Sequence, residues 1–485
     1  MIEPVKICKA FFSTLSEEEI KYCHWKSNYR LPKALAGETD LDLLIHPAEK
    51  TKFDQALERF SFKRVISPPE KRYPGTEDHL GFDYDTGKLI HLHVHYKLVL
   101  GRRHVKDYHL PIERMIFENL RILQNINVPC AEIELLLLTI RANMKLRFMS
   151  VLGAVINPET GPYPRDIMAE FGFLLRDYNE GRFCELLTAS HLPLCQSILV
   201  SYVNGLRQGQ LTIGTVMKVR SHIIKGLRPY RKCGIRVGVL QRFFAAFRTI
   251  PVARRCFFPQ KKKMAEKGRI FALVGADGSG KSTLTTDLSE WLSWKLAVMS
   301  SYFGIPKTME IRLFVGLVYV FRLIARLNPF EILEHVTHSL EEAMSARRWI
   351  LIARKRLCVY AEAKCFASKG GIVLADRYPL QAFHTMPQPM DGPRIKAEDG
   401  GEAKKLSDRE ENYYLRIGLP DKIFVLQTEV DRLRERKENV EPRIHEVKAR
   451  AVNALEPSDI VDVIDGNRPY LDVLLELKRR IWQSL

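Results

Sequence analysis

The run GRIFALVGADGSGKST, from Gly268 to Thr283, limits what this chain can fold into more than any other part of it. A continuous apolar strand, Ile270 to Val274, leads straight into Gly275-x-x-x-x-Gly280-Lys281-Ser282, and TLTTDLSEWL follows with helical spacing. Glycines let the backbone curl until successive N–H groups point at one anionic group, and the next helix adds its positive N-terminal end. A chance match with a strand before and a helix after is improbable. Gly275, Asp277, Gly278, Ser279, Gly280, Lys281, Ser282 and Thr283 are therefore the expected nucleotide-binding residues. Lys281 should reach the β- and γ-phosphates and the Ser282 hydroxyl should take a Mg²⁺ position, so ATP and Mg²⁺ are the expected cofactors.

Apolar strands recur at Gly371 to Ala375, Asp421 to Leu426 and Val461 to Ile464, separated by helical stretches, which predicts a parallel sheet covered on both faces by helices. Sites in such sheets lie at the carboxyl ends of strands, and Asp376-Arg377-Tyr378 stands there, just past GIVLA. A carboxylate in that place can hold Mg²⁺ or its water shell, and Arg377 can clamp a phosphate with two parallel hydrogen bonds; a strand-end ion pair is the plainer alternative. Two basic clusters suit phosphoryl transfer: Arg347, Arg348, Arg354, Lys355 and Arg356 on a helix, and Arg432, Arg434, Arg436 and Lys437 after the DKIFVL strand. The second is the candidate closing lid, and a solvated helix face is the alternative for each.

GADGSGKST, then ADRYP, then RLRERK after a strand resemble thymidylate kinase and its relatives over roughly Lys262 to Leu485. The resemblance implies a P-loop kinase that moves the γ-phosphoryl of Mg·ATP onto an acceptor phosphate, with Lys281, Asp376, Arg377, Arg434 and Arg436 as the catalytic set. By motif position it implies that Asp277 lies near the acceptor sugar and that Arg377 holds the acceptor phosphate. It further implies that Asp376 assists the metal or the transfer step, and that Arg356 matches the arginine on the preceding helix. Family members place a Ser and an Ala-Tyr-Gln-like stretch after Asp-Arg-Tyr. Here PLQAFHTMPQPMDGPRI follows instead, which argues against thymidylate and adds Asp391 and Arg394 as acceptor-binding candidates. MDGPR with Tyr413-Tyr414 is similar to uncharacterised thymidylate-kinase-like proteins associated with bacterial surface polysaccharide loci. The acceptor stays open among nucleotides, sugar phosphates and phosphorylated lipids, and the family's habit of pairing implies a homodimer.

Toward the other end, His24-Trp25-Lys26-Ser27 precedes Asp40-Leu41-Asp42-Leu43-Leu44-Ile45. On a strand, Asp40 and Asp42 share one face, as the two carboxylates of a metal-dependent nucleotidyl transfer site do. The stretch from Lys21 to Leu100 resembles the nucleotidyltransferase fold shared with DNA polymerase β, in which a Gly-Ser turn precedes Asp-x-Asp and a third carboxylate follows on a later strand. Lys26 stands where the glycine is expected, and KLIHLHVHYKL puts His91, His93 and His95 on one face where the third aspartate is expected. His93 in that place lowers the site's negative charge, while alternating imidazoles facing two aspartates suit a different, transition-metal site. The alternatives are an active nucleotidyltransferase with metal on Asp40, Asp42 and His93, or a polar strand face in a domain used for binding.

The expected organisation is multidomain α/β: an α+β nucleotidyltransferase-like domain over 1–128, an all-helical connector over 129–258, a basic linker within Arg254 to Lys267, and the P-loop domain over 262–485. The excess of 75 Lys and Arg over 57 Asp and Glu gives +18, favouring anionic partners; a small phosphorylated substrate fits better than nucleic acid, since no reader module with interleaved aromatics is apparent. Nine scattered cysteines without a Cys-x-x-Cys pair and an N-terminus lacking a secretory signal lead to a cytoplasmic expectation. The apolar stretch Leu313 to Phe321 falls short of the roughly 18 residues that cross a bilayer. A buried helix is the main expectation there, and a membrane-surface helix bearing Arg322 and Arg326, part of a nucleotide-switched scaffold, is the alternative.

Overall fold

In a computed structural model the chain is described over residues 2–102, 105–146, 161–232, 261–306, 309–327, 331–380, 391–395, 402–436 and 442–485, with the single positions 151 and 156. It divides into two compact units, Met1–Lys262 and Lys263–Leu485.

In the first unit the strands β1 (Tyr22–His24), β2 (Leu41–Ile45), β3 (Lys63–Ile66), β4 (Thr76–Phe82) and β5 (Leu89–His95) line up in the order β1-β2-β5-β4-β3. β2 runs parallel to β5, and β4 runs antiparallel to it. Alternation along β2 sorts its side chains. Leu41, Leu43 and Ile45 pack with Phe11, Phe12 and Phe53 from helices α1 (Lys6–Glu17) and α2 (Lys50–Arg59). Leu44 joins the opposite core, so Asp42 lies on that same face.

That second core explains a difference from expectation. The helix α3 (Ala131–Lys145) is buried on every side over most of its length, Glu132, Glu134, Arg141 and Asn143 included. It packs between Cys23, Trp25 and Tyr108 of the α+β part and the helices α4 (Arg165–Leu174), α5 (Glu180–Ala189), α6 (Gln196–Arg207) and α7 (Ile213–Gly226). The boundary expected between 128 and 129 therefore crosses a continuous core. Half of the expected linker, 254–260, lies outside the described residues.

The second unit is a parallel sheet covered by helices. Its strands β6 (Ile270–Gly275), β7 (Val298–Tyr302), β8 (Ile372–Asp376), β9 (Lys422–Gln427) and β10 (Val461–Asp465) stand in the order β7-β8-β6-β9-β10. Every neighbouring pair is parallel. Strand β6 is central and wholly buried, as its unbroken apolar run requires. Ile270, Ala272 and Val274 face Ala363 and Ala367 of the long helix α10 (Glu331–Ser368), while Phe271 turns the other way to meet Phe424. Strand β7 has no counterpart in the sequence expectations, because VMSSY lacks the apolar run that marks the other strands.

Leu313 to Phe321 does form part of a helix, α9 (Met309–Leu327). Burial, the main expectation, does not hold: Leu313, Val315, Leu317, Tyr319 and Val320 are all exposed. The side chains of Arg322 and Arg326 lie outside the described residues. Among the described residues no helix is long and apolar enough to cross a membrane.

Candidate functional site

Strand β6 delivers the chain to the phosphate loop, and helix α8 (Lys281–Ser293) leaves it. Gly278 and Gly280 have φ of 93° and 88°, a region that L side chains rarely enter, so the loop's curl depends on both. Gly275 is needed for another reason: a Cβ there would stand 2.6 Å from Ser279 Oγ and 3.1 Å from the Leu426 carbonyl. Inside the curl, Lys281 is buried and its Nζ donates to the Ala276 carbonyl at 2.6 Å. Burial pushes its ammonium down to about 8, against the pull of Asp277. A phosphate at this place would supply the missing counter-charge.

At the end of the neighbouring strand β8, Asp376 accepts a hydrogen bond from Ser282 Oγ at 2.7 Å through Oδ2. Its other oxygen, Oδ1, is buried and has no hydrogen-bond partner among the described residues. A hydroxyl beside a carboxylate with one uncommitted oxygen is a hard-oxygen donor set of the kind Mg²⁺ takes. Arg377 follows with φ of 68°, and its Nη2 donates to Asp277 at 2.9 Å. Lys448, on helix α13 (Pro442–Asn453; α11 and α12 are the helices Glu402–Leu415 and Val430–Arg436), meets the other Asp277 oxygen at 2.5 Å. Burial opposes ionisation of Asp277, yet Lys448 and Arg377 hold its carboxyl down to about 2.

Asp277, Lys281, Arg377 and Lys448 line a cleft of about 170 Å³ together with Ile305, Trp349, Arg356, Tyr378, Asp391 and Arg394. Five cations, Lys281, Arg356, Arg377, Arg394 and Lys448, face two carboxylates there, which favours an anionic occupant. Arg356 is buried and committed to structure: it donates to the Phe303 carbonyl, to Tyr414 Oη and to the Asp391 carbonyl, each at 2.6 Å, and to Asp391 Oδ1 at 2.9 Å. Glu410 of α11 accepts the N–H groups of Arg394 at 2.9 Å and Ile395 at 2.8 Å. Helix α11 thus anchors residues 391–395 directly through Glu410 and, by way of Arg356, through Tyr414. Arg394 then lies over the Trp349 ring at 4.8 Å.

The expected clusters divide. Of the five basic residues on α10, Arg356 alone lines the cleft, whereas Lys355 pairs with Glu310 and Arg347 and Arg354 are exposed. The expected lid residues sit on α12, whose Leu433 carbonyl lies 3.2 Å from a Cβ built on Gly278, so the helix abuts the phosphate loop. Arg434 nevertheless donates to Glu446 at 2.6 Å, Arg436 is exposed, and neither lines the cleft; Lys437 lies outside the described residues. Lys448, Trp349 and Glu410 escape the sequence reading because no local pattern marks them. Only the folded chain brings Lys448 and Trp349 to the cleft and Glu410 to the segment that carries Arg394.

In the first unit, the expected strand faces do meet. Asp42 lies in register with His93, and Asp40 Oδ1 is 2.9 Å from His91 Nδ1. Lys26, at the expected glycine position, holds Asp42 Oδ1 at 2.6 Å. A carboxylate that the sequence reading misses, Asp78 of β4, sits between the histidines, 3.1 Å from His91 Nε2 and 2.8 Å from His93 Nδ1. An aspartate inside an otherwise buried strand is the signal that could have found it. Lys106 Nζ lies 3.2 Å from His93 Nε2, and burial, with repulsion from Lys26, brings its ammonium down to about 7.

No family model matches the chain. An uncharacterized ATP-binding protein, YghR, from Escherichia coli strain K12 is 26% identical over 227 residues, covering 44% of this chain and 86% of that protein. YghR from Escherichia coli O6:H1 strain CFT073 matches with the same figures. Among solved structures, a thymidylate kinase from Candida albicans aligns with 45% of this chain and 92% of its own, at 13% identity and a TM-score of 0.27, too low to argue from.

Proposed function

We propose that the second unit is an ATP- and Mg²⁺-dependent phosphotransferase that passes the γ-phosphoryl group to the phosphate of a small metabolite. The observation that carries this reading is Asp376, which bonds the phosphate-loop hydroxyl of Ser282 while its buried Oδ1 has no hydrogen-bond partner among the described residues. Ser282 and Asp376 would hold Mg²⁺, which when bound neutralises charge on the nucleotide phosphates. The chain's own groups do the rest. The loop N–H groups and Lys281 grip the nucleotide phosphates, and Arg377, Arg394 and Lys448 offer cationic donors to the acceptor phosphate. Asp277, ionised and held from both sides, suits a hydroxyl on the acceptor. Cations gathered in one cleft favour a small phosphorylated substrate over nucleic acid, which would need a basic surface. The name of YghR, which describes it as ATP-binding, agrees with the nucleotide half of the proposal.

A second reading, metal-dependent nucleotidyl transfer at Asp40 and Asp42, has in its favour that these residues meet the histidine strand at the expected positions. It ranks lower because His93 stands where a third carboxylate is expected and Lys26 offsets the charge of Asp42, which leaves little negative charge for the pair of divalent ions such a transfer uses. The test is mass-spectrometric detection of products after incubation with Mg·ATP and a panel of nucleoside monophosphates, sugar phosphates and phosphorylated lipids. Loss of a phosphorylated product in Lys281→Ala and Asp376→Ala supports the phosphotransferase; activity surviving in both overturns it. Loss in Asp42→Ala alone would promote the second reading.

A further inference from the structure

A second cluster of side chains, independent of the phosphotransferase reading, lies in the first unit where β2 runs alongside β5. Asp42 pairs in register with His93, and His95 follows two residues on, on the same strand face. One ligand atom each from Asp42, His93 and His95 falls within 4.8 Å of the others. His95 is fully buried, yet neither of its ring nitrogens has a hydrogen-bond partner among the described residues. Its Nε2 lies 4.0 Å from Asp42 Oδ1. Edge-to-face contacts with Trp25 and His93 pack the ring but satisfy neither nitrogen, and a buried imidazole left without a hydrogen-bond partner is costly.

His93 is oriented as metal-binding imidazoles are. Its Nδ1 bonds Asp78 Oδ1 at 2.8 Å, and Asp78 is fixed in turn by Ser67 Oγ at 2.6 Å and Lys262 Nζ at 2.9 Å. With the proton on Nδ1, the lone pair is on Nε2; a carboxylate behind the imidazole is the usual second-shell support of a metal ligand. Two of the cluster's electron pairs are met by ammonium groups: Lys26 Nζ on Asp42 Oδ1 at 2.6 Å and Lys106 Nζ on His93 Nε2 at 3.2 Å. Each ammonium occupies a position that favours a cation.

We propose that this cluster is a site for a divalent transition-metal ion of the zinc class, bound by Asp42, His93 and His95, with Lys26 and Lys106 as the guard cations that the ion displaces. Two imidazoles and one carboxylate match zinc's ligand preferences better than magnesium's, and three protein ligands leave a fourth position open. Tetrahedral zinc bonds of about 2.0–2.1 Å need ligand atoms roughly 3.4 Å apart, so the side chains must close in modestly when the ion enters.

The full chain, stripped with EDTA, would be titrated with Co²⁺ and read by its visible d–d bands, with Zn²⁺ as competitor. The Asp376→Ala background removes the other candidate cation position. One equivalent of Co²⁺ with the strong bands of four-coordinate geometry is expected. His95→Gln and His93→Gln should weaken binding at least tenfold, and Asp78→Asn by about 10–100-fold as the outer-shell partner. Lys26→Met, which removes a competing cation, should tighten it several-fold. The absence of four-coordinate bands, or unchanged affinity in a folded His95→Gln chain, overturns the proposal. Should the histidine variants fail to fold, Lys26→Met and Lys106→Met decide, and no gain of affinity in either overturns it.

Discussion

Both units place an aspartate on a parallel strand of their sheet, and the two carboxylates have opposite fates. Asp376 receives a neutral hydroxyl from Ser282, and its other oxygen is buried with no partner among the described residues. Asp42 receives the ammonium of Lys26. Asp42 lies inside a mixed-direction strand and Asp376 at the end of a wholly parallel one, and the loops that approach them differ as well. The phosphate loop offers backbone N–H groups and a short hydroxyl, whereas the turn after β1 offers a lysine where the resembled fold has a glycine. A carboxylate's readiness for a cation is thus set by its neighbour across the turn as much as by its own place on a strand.

The sharpest way to break this comparison is Lys281→Ala beside Lys26→Met. The first should lower ATP-dependent turnover by roughly two to three orders of magnitude, because preorganised charge supplies most of phosphoryl transfer. The second should leave turnover unchanged. A steady-state assay in which Lys26→Met lost the same activity would place the chemistry in the first unit.

Next in size is Arg141→Met. Arg141 Nη2 holds Glu170 at 2.8 Å with both side chains largely buried. Stranding the buried carboxylate should cost about 3–5 kcal/mol of stability, seen in denaturant unfolding followed by hydrogen exchange in α3. The phosphate cleft should keep its affinity for nucleotide.

The two units should also answer acid differently. Burial raises the Glu134 carboxyl to about 7, so its contribution is fully present below pH 4.5 and is lost as pH rises toward 7. Asp277 has its carboxyl lowered to about 2 by Lys448 and Arg377 against the burial penalty, so its contribution is present above pH 3.8 and lost as pH falls through 2. Each amounts to about 2–3 kcal/mol at most. Hydrogen exchange across pH 4.5–7 should show α3 loosening as pH rises, a slope that Glu134→Gln flattens. Asp277→Asn should remove an acid-side loss near the phosphate loop.

The smallest effect belongs to the pair Arg434–Glu446, which is half exposed at 2.6 Å. Arg434→Ala should change stability by under about 1 kcal/mol in thermal unfolding. A large fall in kcat with unchanged stability would show that Arg434 leaves Glu446 to serve as a lid.

What was legible follows locality. The phosphate loop is one uninterrupted stretch whose strand, glycines and helix are contiguous, so its geometry could be read directly. Asp376 and Arg377 were legible because a buried apolar strand announces its own end. Asp40, Asp42 and the histidines could be paired by two-residue alternation, and the structure puts them face to face. Lys448 could not be read, since 171 residues separate it from the carboxylate it binds. Nor could the shared core around α3, because a helix buried on all sides does not reveal what covers it. The exposed face of α9 was misjudged for a related reason: apolar composition predicts burial and carries no information about where the sheet runs out of surface to offer.

The register of the central strands carries a last consequence, for the lengths of chain this protein can tolerate. Leu273 stands opposite Asp376 across β6 and β8, and side chains alternate along each strand. Removing or adding one residue inside β8 would turn Asp376 to the far side of the sheet and abolish the site, even with every residue type retained. Insertions well beyond Tyr378 would leave that pairing untouched. Deletion scanning should therefore find that a one-residue change anywhere inside β8 abolishes the site.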